Sequence, residues 1–149
     1  MKKRAVQLVV ALMMVWGTTM AQDIGESQVP SVVRNSFKKD FGKAKDVEWE
    51  KKADSYKVEF EMGGWFADDF EAWYDTTGLM IKYVQEIPNR DLPTAIKELI
   101  KKQYPTYRVD DVEKLVKNHV ETYWVEIEKK NDELVLVFDK DGKLKLNNK

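Results

Sequence analysis

The chain has 149 residues, no cysteine, one histidine and a formal net charge of −1 at pH 7. A disulfide framework is excluded, and with His119 as the sole imidazole a zinc site of the usual ligands cannot be assembled. With 25 basic and 26 acidic residues interleaved along the chain, no polyanion-binding surface and no nucleic-acid partner are expected.

The N-terminus carries the three parts of an export signal. Lys2, Lys3 and Arg4 are a positive n-region, Ala5 to Trp16 an apolar stretch interrupted by Gln7, and Thr19 and Ala21 occupy the −3 and −1 positions of a cleavage site. The apolar run is shorter than the roughly 20 residues a spanning helix needs. Residues 1–21 are therefore expected to be a signal peptide, and the mature chain to be exported without spanning the membrane. Removing them leaves a formal charge of −4. Residues 22–28 are expected to be a flexible lead-in.

Two copies of one pattern follow, at residues 29–87 and 92–149, joined by a linker at 88–91. Val29-Pro30 and Leu92-Pro93 open helices, because proline is tolerated where a helix begins. Val33, Phe37 and Phe41 recur at helical spacing, as do Ile96, Ile100 and Tyr104. Gly42 and Pro105 are expected to stop these helices. The period then changes from 3.6 to 2. Tyr56, Val58, Phe60 and Met62 alternate with charged residues, and Tyr123, Val125 and Ile127 do the same. Phe70, Ala72 and Tyr74 match Leu134, Leu136 and Phe138. Asp75-Thr76-Thr77-Gly78 and Asp139-Lys140-Asp141-Gly142 have the Asp and Gly positions of tight reversals. Shorter strands are expected at Asp46–Glu50 and Val112–Lys117, and last strands at Leu79–Val84 and Lys143–Leu146. The fold class is α+β, two tandem repeats of a helix followed by antiparallel strands. Neither copy covers its own core easily, so both are expected to form one compact domain with the helices on one face of the sheet.

At the Leu-Pro helix opening, the Tyr-x-Val-x-Phe and Tyr-x-Val-x-Ile strands and the aromatic-Asp-x-x-Gly turns, the chain resembles the PepSY-like family of exported bacterial proteins. That family is related in fold to the secreted β-lactamase-inhibitor proteins. The resemblance implies tandem α+β repeats, a periplasmic or extracellular location and a role like that of related single-repeat domains, which act as inhibitory or regulatory modules for peptidases. It carries over no catalytic residue, and inhibition of a β-lactamase in particular does not follow from it.

No catalytic constellation is legible. A Gly-x-Ser-x-Gly elbow is missing, the one histidine has no evident serine partner, and the carboxylate pairs Asp68–Asp69 and Glu48–Glu50 are such as any acidic chain offers. Asp139-x-Asp141-Gly142 lacks the further ligands of a calcium loop. No metal and no cofactor are implied, and an enzyme is not expected.

Six residues stand out as binding candidates. Trp65 and Phe66 follow Gly63-Gly64 at a hairpin tip, where they either fold back on the core or stand as exposed anchors. Strand alternation sends Trp73, Trp124, Val135 and Val137 to the face away from the helices, among Glu59, Glu71 and Glu126. An exposed apolar patch rimmed by charge reads as an interaction surface. The expected function is a non-catalytic protein- or peptide-binding module of the cell envelope, inhibitory or regulatory. Two alternatives are a small-ligand carrier with a cleft between helix and sheet, and a structural protein that self-associates, for example as a homodimer. Mass spectrometry of the exported protein should find Gln22 at its N-terminus, and an intact Met1 chain retained in the membrane would contradict the signal-peptide assignment.

Overall fold

The computed structural model describes residues 22–64 and 68–148. The expected signal peptide and the candidates Trp65 and Phe66 lie outside the described residues. The chain divides into two compact units that part between Gln85 and Glu86.

The first unit holds strand β1 (Gln22–Ile24), helix α1 (Ser31–Asp40), and strands β2 (Lys45–Lys51), β3 (Ser55–Met62), β4 (Asp68–Asp75) and β5 (Met80–Glu86). Each strand pairs antiparallel with the next. The second unit holds helix α2 (Thr94–Gln103) and strands β6 (Arg108–Lys117), β7 (Val120–Lys129), β8 (Asp132–Asp139) and β9 (Leu144–Asn148), again antiparallel in chain order. A single turn of 3-10 helix precedes each α-helix, at Glu26–Gln28 and Asn89–Asp91. Residues 22–28, expected to be a flexible lead-in, thus contain an edge strand and a helical turn. The signal for β1 is weak because a three-residue strand offers no alternation to read.

The repeat extends to individual dihedral angles. Pro30 and Pro93 take up the N-cap positions at φ −53°, ψ 140° and φ −52°, ψ 138°. Phe41 and Tyr104 close the helices with N–H groups donating to Phe37 O and Ile100 O, both at 2.8 Å. The helices end one residue before these caps. A side chain at Gly42 would crowd the Lys38 carbonyl at 3.1 Å.

The strands β2 and β6 are longer than alternation indicates. Both carry a bulge near the start, between Lys45 and Glu48 and between Val109 and Asp111, and an extra residue there breaks the period-two pattern. Asp46 takes a positive φ of 49° at the first bulge. Asn118 and His119, with φ of 52° and 62°, form the tight turn between β6 and β7.

Each unit has its own core. In the first, Val33 and Phe37 from α1 meet Trp49, Tyr56, Val58, Phe60, Ala72 and Tyr74. In the second, Ile96 and Ile100 from α2 meet Val112, Tyr123, Val125, Ile127, Leu134, Leu136 and Phe138. Phe41, whose helical spacing with Val33 and Phe37 predicts burial, is only partly buried and packs against the first cluster. Trp49, which alternation did not single out, is buried edge-on to Phe37 at 5.3 Å.

The aspartate–glycine turns pin the last hairpin of each unit to its helix. Asp75 Oδ1 accepts from the N–H groups of Thr77 at 2.8 Å and Leu79 at 3.0 Å, and Asp139 Oδ1 from those of Asp141 at 3.1 Å and Lys143 at 2.9 Å. Gly78 and Gly142 then adopt φ of 85° and 82° directly against the helices. A Cβ on Gly78 would meet Ser36 Oγ at 2.9 Å and Val32 O at 3.0 Å, and one on Gly142 would meet Ala95 Cβ at 2.8 Å. Gly78→Ala and Gly142→Ala should each cost about 1–3 kcal/mol, from a left-handed backbone combined with the close approach. Gly64→Ala, with nothing within 4 Å of the new methyl, serves as the control and should be nearly neutral in a denaturant melt.

Candidate functional site

Because successive side chains on a strand point to opposite faces, the residues between the core positions line the other face of each unit. In the second unit, register aligns Glu113, Trp124, Val137 and Leu146 in one cross-strand row. The next row is Asp111, Glu126, Val135 and Asn148, and beyond it Arg108 faces Glu128, which faces Glu133. The face is thus an apolar stripe bordered by five carboxylates, with Arg108 paired to Glu128.

Trp124, Val135 and Val137 lie on the face that alternation assigned to them, outside the core cluster. Their exposure differs from expectation. Trp124 and Val135 are half-buried and Val137 is only 6 % exposed. Leu146 is the open end of the stripe at 43 % exposure. Sequence reasoning did not single it out, although its place opposite Val137 follows from a hairpin closed by the turn at Asp139–Gly142.

The equivalent face of the first unit has different chemistry. Its matching rows are Glu50, Lys57, Trp73 and Lys82, then Glu48, Glu59, Glu71 and Val84. Trp73 was expected to be an exposed anchor. It is instead 8 % exposed, with Lys82 Nζ 3.9 Å from its ring centroid and Lys57 Nζ 5.7 Å away. The two ammonium groups hold the ring by cation–π attraction and cover it. Lys57 Nζ also bridges Glu59 at 2.6 Å and Glu71 at 3.0 Å. Burial would lower the Lys57 pKa, but these two carboxylates outweigh it and raise it. Glu71 is pushed up by its burial, against the pull of Lys57. Beside these rows a groove of about 430 Å³ is lined by Asp23, Glu26, Glu48, Glu50 and Glu59, with Trp49 among its walls. Trp73 and Val137 therefore share a position in the repeat but not an environment.

Among the described residues no group of three or more His, Cys, Asp or Glu side chains is arranged to hold a metal ion. The carboxylates of the second face do interact with one another. Glu126, 9 % exposed, is raised to about 7, first by burial and then by Glu133 and by Asp110 and Asp111. Asp111 is raised too, chiefly by burial. A carboxyl that binds its proton more tightly in the native than in the unfolded state loses stability as pH rises between the two pKa values. For Glu126 that window runs from its ordinary 4.5 to about 7. Glu126→Gln should therefore raise stability at pH 8 by on the order of 1 kcal/mol and leave it nearly unchanged at pH 4. Paired melts of variant and parent at the two pH values check this, and a variant less stable than the parent at pH 8 would contradict it.

Among curated proteins no match to the chain is found. Solved structures with the same fold include a BLIP-like protein from Bacteroides fragilis, at 22% identity, TM-score 0.68, covering 80% of this chain and 84% of that one. A DUF2874 family protein from Bacteroides uniformis gives 19% identity and TM-score 0.70 over 80% and 88% of the two chains. A protein described as periplasmic from Bacteroides eggerthii gives 16% identity and TM-score 0.71, again over 80% and 88%. One sequence family matches twice, at residues 15–82 and 64–145, under the description "Putative beta-lactamase-inhibitor-like, PepSY-like". The two matches together span most of the chain, which therefore belongs to this PepSY-like, beta-lactamase-inhibitor-like family.

Proposed function

We propose that the protein is an exported, non-catalytic module that binds a protein or peptide in the cell envelope and inhibits or regulates it. The observation that carries this reading is the second unit's open strand face, where Trp124, Val137 and Leu146 form an apolar row flanked by Glu113, Asp111, Glu126 and Glu133. Within this row Val137 is buried, Trp124 is half-buried and Leu146 is open to solvent, and apolar stripes with charged borders are typical of recognition surfaces. The family's inhibitor-like description and the export signal agree with a binding role outside the cytoplasm.

The charges select the partner. Carboxylates crowd the second unit's face beside the apolar row. A partner segment that alternates aliphatic and basic side chains would complement both features. Self-association through this face is disfavoured, because a two-fold contact would set carboxylates against carboxylates. Trp65 and Phe66 remain candidate anchors in this reading.

An alternating Val-Lys peptide should bind, with affinity falling as salt rises, while an alternating Val-Glu peptide should not. Trp124→Ala should weaken the Val-Lys complex about tenfold. Val125→Ala, one residue along and fully buried, should lower stability by about 2 kcal/mol and leave the affinity unchanged. Equal binding of the two peptides, or a Trp124→Ala variant with unaltered affinity, would reject the face as the recognition surface.

A further inference from the structure

The two copies also differ, position by position, on the helix side of each unit. In the first unit the corner between the end of α1 and the strands is filled by rings. Phe41 lies 4.6 Å from Phe60, 6.1 Å from Phe70 and 6.0 Å from Tyr83, and Phe60 stacks on Phe70 at 5.3 Å. The residues at the matching positions of the second unit are Tyr104, Ile127, Leu134 and Asn147. Three ring partners are gone, and Phe37 is replaced by Ile100. Tyr104 turns instead to Tyr107, edge-on at 5.9 Å. A cavity of about 370 Å³ opens at this corner, lined by Lys97, Ile100, Lys101, Tyr104, Pro105, Tyr107 and Val109. That volume falls within the usual range for small-molecule sites.

The charge at the cavity rim changes along with its walls. Arg34 and Lys38 on α1 correspond to Lys97 and Lys101 on α2. In the first unit both are met by one carboxylate, Glu26, at 4.0 Å and 3.3 Å. The residue equivalent to Glu26 is Asn89, whose neutral amide donates to Val109 O at 3.3 Å. At the rim of this cavity the second copy has thus exchanged a built-in counter-anion for an uncharged amide. Lys97 Nζ donates to Arg90 O at 2.6 Å, which keeps that ammonium at the rim. Tyr107 is likewise held in place, through its hydroxyl to Asp132.

We infer that this corner is a binding site for a small aromatic carboxylate. Its ring occupies the space between Tyr104, Tyr107 and Ile100. Its carboxylate takes the place of Glu26 and meets Lys97 and Lys101. Ring–tyrosine packing and two ammonium groups one helical turn apart are the complement of such a molecule. The inference does not depend on the strand face, which lies on the other side of the unit.

The test is a titration of the 15N-labelled protein with 3-phenylpropionate, followed through backbone amide shifts. Saturable shifts are expected at Lys101, Tyr104, Tyr107 and Val109, with a dissociation constant on the order of 1 mM or tighter. The uncharged 3-phenylpropionamide and the ringless propionate should each bind at least two- to fivefold more weakly, roughly the effect of one exposed ion pair or more. Asn89→Glu, which restores the first unit's counter-anion on an exposed turn, should weaken the acid by a similar factor while leaving the amide unaffected. Lys101→Gln gives the same readout if Asn89→Glu does not fold. Absence of saturable shifts at these four residues, equal binding of acid and amide, or indifference to both substitutions would overturn the assignment.

Discussion

One ten-residue helix lying across antiparallel strands is the constraint on which each unit depends. Val33 and Phe37 in the first, and Ile96 and Ile100 in the second, press onto alternate residues of the central strands. The rest follows from that contact. The proline caps set where the helix begins, the aromatic caps Phe41 and Tyr104 set where it ends, and Gly78 and Gly142 let the last hairpin approach it without a side chain between. A helix of this length covers only one face. Every second residue of β7 and β8 is therefore committed to the core, and every residue between is available for other chemistry.

The two copies use that freedom differently. The row that reads Lys57, Trp73 and Lys82 in the first unit reads Trp124, Val137 and Leu146 in the second. In the first, ammonium groups cover the indole and are themselves held by Glu59 and Glu71. In the second, Trp124, Val137 and Leu146 share the row with Glu113, and in the next row burial and Glu133 raise the proton affinity of Glu126. On the helix side the contrast reverses: the first unit is packed solid with phenylalanine, and the second is open and lined by tyrosine and lysine. The backbone is thus repeated while the side chains at matched positions give the two copies different surfaces.

Much of this is legible in the sequence alone. The shift from a period of 3.6 to a period of 2 located both helices and the strand pairs β3–β4 and β7–β8, because each element buries one side and the hydrophobic pattern records which. The same alternation put Trp73, Trp124, Val135 and Val137 on the face away from the core. What it could not locate were the bulged starts of β2 and β6, where an extra residue puts the pattern out of phase, and the three-residue β1, which is too short to show one.

The sequence by itself determined the repeat, the order of elements within each copy and the side of the strand on which each residue lies, since these depend on local periodicity and turn chemistry. Only the tertiary structure decided how exposed those residues are. Trp73 is covered because cross-strand register brings two lysines, 16 and 9 residues away in the chain, over its ring. The cavity beside Tyr104 likewise has walls from helix α2 and from strand β6, Ile100 and Val109 among them, which meet only when the helix packs on the strands. Solvent exposure and pocket shape are sums over neighbours distant in sequence, so no pattern read along a single strand contains them.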